Sequence, residues 1–296
     1  ALTNASGTHD LNKNTGSGGS DKILFLVSSN TNFISIDTAF VYKDGALYMF
    51  VGNKFYKFSS KPSNGKLKAL NNYPKTIPEK WGRLPSLKTD DGMGSITVDD
   101  CSEYNGQGAA KCNSTTNCKY DVLYEECEPK SVYDAAFTDL KGETYLFKGR
   151  FVYKYNDSSM KIASGFPKRI SLVFDGIPSN IDAVFVWGKD RATYFIKGKL
   201  YYKFNNKTNK VDRGYPKNVN ERWPGMKNIG LINAIFTLPY YVKGISPGSN
   251  HTYIISGNNV YYINPSSDVV DRIGTVGDVF VNIKDLMVTV PTTSSA

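Results

Sequence analysis

One strand-turn-strand phrase is written four times in this chain: YMFVGNKFYKF at 48–58, YLFKGRFVYKY at 145–155, YFIKGKLYYKF at 194–204 and YIISGNNVYYI at 253–263. In each copy aromatic and β-branched runs flank a glycine at a fixed offset, Gly52, Gly149, Gly198 and Gly257. A chain reversal there needs a residue with no Cβ penalty, so each phrase predicts a β-hairpin. A short apolar run precedes every hairpin: IDTAF at 36–40, YDAAF at 133–137, IDAVF at 181–185 and INAIF at 232–236. After the first three comes an aromatic-Pro-Lys turn, Tyr73-Pro74-Lys75, Phe166-Pro167-Lys168 and Tyr215-Pro216-Lys217. In copies one and three that turn leads to Trp81 and Trp223.

Asp134 and Asp182 are 48 residues apart, and Asp182 and Asn233 are 51 apart. That period suits propeller blades or solenoid units. A unit with three or four short strands and almost no helical periodicity cannot bury both faces alone, so the copies must pack face to face and close radially. The expected fold is all-β, a four-bladed β-propeller over 23–290. Its blades fall at about 33–89, 130–178, 179–228 and 229–283. Asp37 and Asp134 are 97 residues apart, nearly one period too many, yet no fifth hairpin phrase occurs. The excess is a polar segment, 90–129, that holds Cys101, Cys112, Cys118 and Cys127 and reads as an insertion between blades one and two. Residues 1–22, rich in Gly, Ser, Thr and Asn, read as a flexible arm, and 291–296 as a short tail.

The D-A-A-F start, the Y-x-F-K-G-x-x-x-Y-K-F centre and the G-Y-P-K…W-P-G end resemble the hemopexin repeat. The resemblance runs from about Phe33 to Val281, and its fourfold recurrence makes it specific. It implies a propeller whose inner strands line a central channel. By the resemblance, the backbone carbonyls of Asp37, Asp134, Asp182 and Asn233 ring a cation, calcium or sodium, at one channel end. The amides of Ala39, Ala136, Val184 and Ile235 then face a chloride. The alternative is that the aspartates bond neighbouring amides and the channel holds water. Metalloproteinase members of the family usually tie blade one to blade four with a disulfide. No cysteine lies in blade four here, so closure is expected to be noncovalent. The apolar run 23–27 with 278–283 or 286–290 is a candidate clasp.

The cysteine spacings of 11, 6 and 9 lack the C-x-x-C pairs of a zinc site, so two disulfides are expected among the three pairings four cysteines allow. Glycosylation acceptor patterns stand at Asn4, Asn113, Asn156, Asn206 and Asn250. Together with the even cysteine count they predict a secreted glycoprotein with any leader peptide already removed. Apolar runs fall far short of the ~20 residues that span a bilayer, so no membrane span is expected. The small residues of the tail raise, as a minor alternative, the remnant of a lipid-anchor signal.

No G-x-S-x-G elbow, Walker loop, dinucleotide fingerprint or H-E-x-x-H motif is present, and the aspartates recur with the blades as structural residues do. No enzymatic activity is expected. Haem binding loses its usual ligands, because the two histidines are His9 in the arm and His251, read as a loop or interface residue. Tyrosines, of which there are 20, remain as alternative iron ligands. A formal net charge of +9 favours polyanions. Lysines and arginines recur at the hairpins, among them Lys148, Arg150, Lys197 and Lys199, and in the turns at Lys75, Lys168 and Lys217. The function expected is a secreted, non-catalytic binding or adhesion module for extracellular protein or glycosaminoglycan. Nucleic acid is not an expected partner, and pairing of two propellers through Tyr-rich blade edges is left open. The alternative is a carrier of haem, another small hydrophobic ligand or a metal ion.

Overall fold

Each repeated phrase folds as an antiparallel hairpin, with Tyr48 opposite Lys57, Tyr145 opposite Lys154, Tyr194 opposite Lys203 and Tyr253 opposite Tyr262. The glycine at each turn takes positive φ, from +53° at Gly257 to +59° at Gly149, where a side chain would be strained. The computed structural model describes residues 30–33, 36–59, 61–82, 110, 118–121, 126–129, 133–239, 250–283 and 287–290. The chain divides into two units, Ala1–Thr31 with Thr289–Ala296 and Asn32–Val288. The second contains four sheets that match the four repeats.

The inner strands are Thr38–Val41, Ala135–Thr138, Ala183–Val186 and Ala234–Leu238. Each pairs with the first arm of its hairpin, Leu47–Val51, Thr144–Lys148, Thr193–Lys197 or His251–Ser256. Neighbouring inner strands approach one another all the way round, the fourth returning to the first. The ring is closed, and the four-bladed propeller expected from the period is what forms. Outside each hairpin lies a short outer strand: Lys75–Thr76, Lys168–Arg169, Lys217–Asn218 and, in blade four, the longer Val270–Thr275.

The core is four interblade layers. Between blades one and two, Phe40, Tyr48 and Trp81 meet Tyr133 and Tyr153. Between two and three, Phe137 and Phe174 meet Phe195 and Phe204. Trp223 and Met226 meet Ile254 and Val270 between three and four. Leu47 and Phe58 meet Tyr253 and Phe280 between four and one. Burying aromatic surface of this size is the main favourable contribution to such a fold.

A one-turn helix follows every outer strand: Ile77–Trp81, Ile170–Val173, Val219–Arg222 and Val276–Val279. Its first residue donates its N–H to the carbonyl of the residue after the hairpin glycine: Ile77 to Asn53 at 2.8 Å, Ile170 to Arg150 at 3.0 Å, Val219 to Lys199 at 2.9 Å and Val276 to Asn258 at 3.0 Å. Four residues after that first residue stands a buried aromatic ring: Trp81, Phe174, Trp223 and Phe280. The tryptophans seen in two repeats are therefore members of a fourfold series that phenylalanine completes.

Closure between the last and first blades uses backbone pairing and packing. Phe280–Val281 runs parallel to Leu67–Lys68 of blade one, Ala69 donates to the Val281 carbonyl at 3.0 Å, and the Phe280 and Phe58 rings lie 5.3 Å apart. Asn30–Phe33 and Met287–Val290 form a separate two-stranded sheet. Of the cysteine-bearing segment, the strands Cys118–Asp121 and Glu126–Pro129 pair with each other, Cys127 opposite Tyr120 and Cys118 opposite Pro129. Its remaining residues except 110, the run 23–27, the arm and the tail lie outside the described residues.

Candidate functional site: the central channel and its two faces

The propeller has two faces. On the hairpin face the inner strands begin and the hairpins of Gly52, Gly149, Gly198 and Gly257 turn; on the far face the inner strands end. The residue just before each inner strand is Asp37, Asp134, Asp182 or Asn233, and each accepts a side-chain hydrogen bond from its hairpin glycine N–H, at 2.5, 2.6, 2.5 and 2.7 Å. Lys148 adds an ion pair to Asp134 at 3.0 Å, and Lys197 adds one to Asp182 at 3.1 Å. The recurring acids fasten hairpin to inner strand.

All four residues also line the channel mouth on this face, an open cavity of about 360 Å³ shared with Lys197 and Leu231. The carboxylates of Asp37, Asp134 and Asp182 turn toward the hairpin amides. No group of three His, Cys, Asp or Glu side chains gathers to bind a metal among the described residues. The carboxylates are taken up by hairpin amides and, in blades two and three, by lysines, an arrangement that does not suit a carboxylate-ligated ion. Deeper in, a constriction of about 70 Å³ is lined by Val184 and Ile235, and by Phe40 and Phe137. Ala39 and Ala136 occupy the same register as Val184 and Ile235 in their own strands, opposite Met49 and Leu146.

The far face carries acid, tyrosine and lysine together in three blades. Tyr48 donates its hydroxyl to Asp44 at 3.0 Å, Tyr145 to Glu143 at 2.8 Å and Tyr194 to Asp190 at 2.7 Å. Lys57, Lys154 and Lys203 complete the sets at 2.8, 2.5 and 3.3 Å. Hydrogen bonds from Lys154 and Tyr145 hold the Glu143 carboxyl below its usual range. Burial pushes Asp44 up, but Lys57, the Ala46 amide and Tyr48 together outweigh it and lower its pKa. Burial and the adjoining acids raise all three tyrosines, so the phenols stay protonated donors.

The turn lysines stand out from the fold. Lys75, Lys168 and Lys217 are exposed, and each ammonium lies over the aromatic ring two residues earlier, Tyr73 at 5.7 Å, Phe166 at 5.2 Å and Tyr215 at 5.3 Å. The intervening prolines are cis. Arg150 lies over Phe151 at 5.2 Å, and Lys199 is exposed at the blade-three hairpin. Of the predicted cations, Lys148 and Lys197 are thus engaged by acids of their own blades, while Lys75, Lys168 and Lys217 make no ion pair among the described residues.

A family model described as Hemopexin matches residues 36–86, 134–179 and 181–228, which are blades one to three. The chain belongs to the hemopexin-repeat family. Among curated proteins this hemopexin-repeat chain is 46% identical to vitronectin of Homo sapiens over 52 residues, 17% of the chain and 10% of vitronectin. It is 38% identical to matrix metalloproteinase-18 of Xenopus laevis over 68 residues, 22% of the chain and 15% of that protein. These alignments are little longer than one blade, so the chain spans only a small part of either relative. In fold it is similar to the solved hemopexin fold protein CP4 from cow pea, with a TM-score of 0.53, 19% identity, and coverage of 82% of this chain and 94% of the other.

In the fourth blade the far-face set is replaced. Tyr262 stands where the other blades have lysine, and His251 precedes Tyr253 by two residues, as Glu143 precedes Tyr145. His251 is not a loop or interface residue, as its place in the sequence suggested: it opens the strand His251–Ser256, is only 2% exposed, and lies 5.8 Å from the Tyr262 ring. Burial lowers its pKa. All six residues of this strand are enclosed, so the alternation of buried and exposed positions that marks a surface strand is absent here. Of the acceptor asparagines, Asn156, Asn206 and Asn250 are exposed, while Asn4 and Asn113 lie outside the described residues. So do Cys101, Cys112 and the side chains of Cys118 and Cys127; His9 also lies outside.

Proposed function

We propose that this hemopexin-repeat propeller is a secreted, non-catalytic glycoprotein that binds extracellular polyanions, with sulfated glycosaminoglycan as the favoured ligand and acidic protein surfaces as the competing one. The observation that carries the reading is the repeated exposure of Lys75, Lys168 and Lys217, each held over an aromatic ring at the same place in its blade. A polymer with spaced negative charges can meet such separated cations at once, and each contact adds a modest, salt-sensitive increment. Five acceptor patterns for glycosylation and four cysteines support an extracellular setting with two disulfides. In the channel, the carbonyls of Asp37, Asp134, Asp182 and Asn233 hold calcium or sodium, and the amides of Ala39, Ala136, Val184 and Ile235 face a chloride.

The haem-carrier reading is weaker, since His251 is packed in the core beside Tyr262. The test is retention of the full chain on immobilised heparin across a salt series, with hemin titration in parallel. Retention that falls steeply with salt supports the proposal; no retention, or a stoichiometric Soret band, overturns it.

A further inference from the structure

The described glycosylation acceptors are sorted by face. The third strands of blades two and three, Phe151–Asn156 and Leu200–Asn205, start at the hairpin face and finish at the far face. Asn156 and Asn206 therefore stand on the far face. Asn250 precedes a strand that runs the other way, His251–Ser256, and it lines the far-face channel mouth. All three described acceptors share one side of the disc.

Ion pairs occur on both faces. Six far-face lysines pair with acids, Lys43 with Asp157, Lys57 with Asp44, Lys154 with Glu143, Lys189 with Asp268, Lys203 with Asp190 and Lys210 with Asp175, while Lys148 and Lys197 pair with Asp134 and Asp182 on the hairpin face. On the hairpin face, two recurring positions decide the balance. The residue after the hairpin glycine is Asn53, Arg150, Lys199 or Asn258. The outer-strand residue opposite Phe55, Val152, Tyr201 or Val260 is Lys75, Lys168, Lys217 or Gly274. Both positions are basic in blades two and three, one is basic in blade one, and neither is in blade four. Arg169, exposed and opposite Phe151, adds to blade two. At these two positions the basic residues concentrate in the adjacent blades two and three.

We infer that the hairpin-face corner of blades two and three, carried by Arg150, Lys168, Lys199 and Lys217, is where a sulfated polysaccharide docks, and that the far face is the glycan-bearing side at Asn156, Asn206 and Asn250. The docking half rests on the polyanion-binding function proposed above. Flat presentation on strand edges and turns suits an extended chain, because separated point charges need a ligand whose anions are also separated. Keeping N-linked glycans on the other face leaves this corner sterically open.

The test uses the full chain made in eukaryotic cells and heparin as the probe. One triple variant, Arg150→Ser, Lys168→Ser and Lys217→Ser, is compared with a far-face triple of equal charge, Lys141→Ser, Lys161→Ser and Lys207→Ser, both checked for unchanged thermal unfolding. The expected result is a loss of at least tenfold in heparin affinity and a shallower salt dependence for the first, and a change under twofold for the second. Equal losses, or a loss confined to the second, overturn the docking corner while leaving polyanion binding intact. No heparin binding by the parent protein overturns the proposed function itself, and binding of poly-glutamate in place of heparin assigns an acidic protein ligand. Glycopeptide mapping judges the other half independently: glycans are expected at Asn156, Asn206 and Asn250, their absence overturns the glycan face, and so does a tenfold change in heparin affinity on enzymatic deglycosylation.

Discussion

Asp134 and Gly149 are joined by a hydrogen bond of 2.6 Å from the glycine N–H to the aspartate carboxylate. The bond ties the entry of the inner strand to the turn of the hairpin that pairs with it, and its counterparts occur in every blade. Asp134→Ala removes a charge-assisted acceptor and leaves the amide unmatched, which costs about 1–3 kcal/mol. Asp134→Asn should cost less, because Asn233 already does this work in blade four at 2.7 Å. Denaturant unfolding of the two variants checks the order; an Asn variant as unstable as the Ala variant would show that the charge itself is essential.

Trp81 is enclosed by Phe40, Tyr42, Tyr48, Phe55 and Tyr155, with ring centroids 5.0–6.1 Å away. Trp81→Ala opens a cavity in the layer between blades one and two and should cost about 3–5 kcal/mol. Trp81→Phe should cost far less, since phenylalanine holds the equivalent place at Phe174 and Phe280, and the buried Trp81 Nε1 has no hydrogen-bond partner to lose among the described residues. Thermal unfolding of both variants tests this, and equal destabilisation would contradict it.

The hairpins, inner strands and fastening acids were legible in the sequence because each is spelled by residues whose backbone demands are narrow: glycine at positive φ, and a short acceptor at the strand entry. The one-turn helices were not, and the fourth is the least marked: Val276–Val279 follows no Pro-Lys pair and leads to phenylalanine, so only the spacing from Gly257 could have revealed it. The far-face sets were hidden for a different reason. Asp44 and Asp190 precede their tyrosines by four residues but Glu143 by two, so turn geometry, and not a fixed offset, brings them together. Lys57, Lys154 and Lys203, near the end of each hairpin's second arm, are matched to these acids.

Those acids predict how the fold responds to low pH. Glu143 and Asp44 have pKa values lowered in the folded state, so the unfolded chain binds protons first as pH falls. Their stabilisation is complete above the ordinary carboxylate range near pH 4 and is lost as pH drops through the folded values. Urea unfolding of Glu143→Gln should show a shallower loss of stability below about pH 4 than the parent protein. An unchanged slope would mean that the Tyr145 and Lys154 contacts contribute nothing to the pH response.

His251 acts in a higher window. Burial lowers its folded pKa, so the unfolded state takes up a proton that the folded state refuses as pH falls below about 6.5. Stability must then decline as pH falls from that value toward the folded pKa. His251→Phe, which keeps a planar ring beside Tyr262, should flatten the stability profile between about pH 5 and pH 7. A profile with the same slope in the variant would assign the pH response to other groups.

Occupancy of the channel can be tested through stability as well. Calcium bound only by the folded ring of carbonyls at Asp37, Asp134, Asp182 and Asn233 would stabilise the propeller by about 2.7 kcal/mol at a concentration one hundred times its Kd. Calorimetry of metal-depleted protein should therefore show a rise in Tm on adding calcium, or on adding sodium over a constant-ionic-strength background if that is the resident ion. Asp182→Asn separates the two modes of binding. The carboxylate is directed at the Gly198 amide and Lys197, so a backbone-ligated ion should keep most of its Tm shift in this variant. Loss of the shift would mean that the carboxylate ligates the ion after all, and no shift with either ion in the parent protein would mean that the ring of carbonyls holds water.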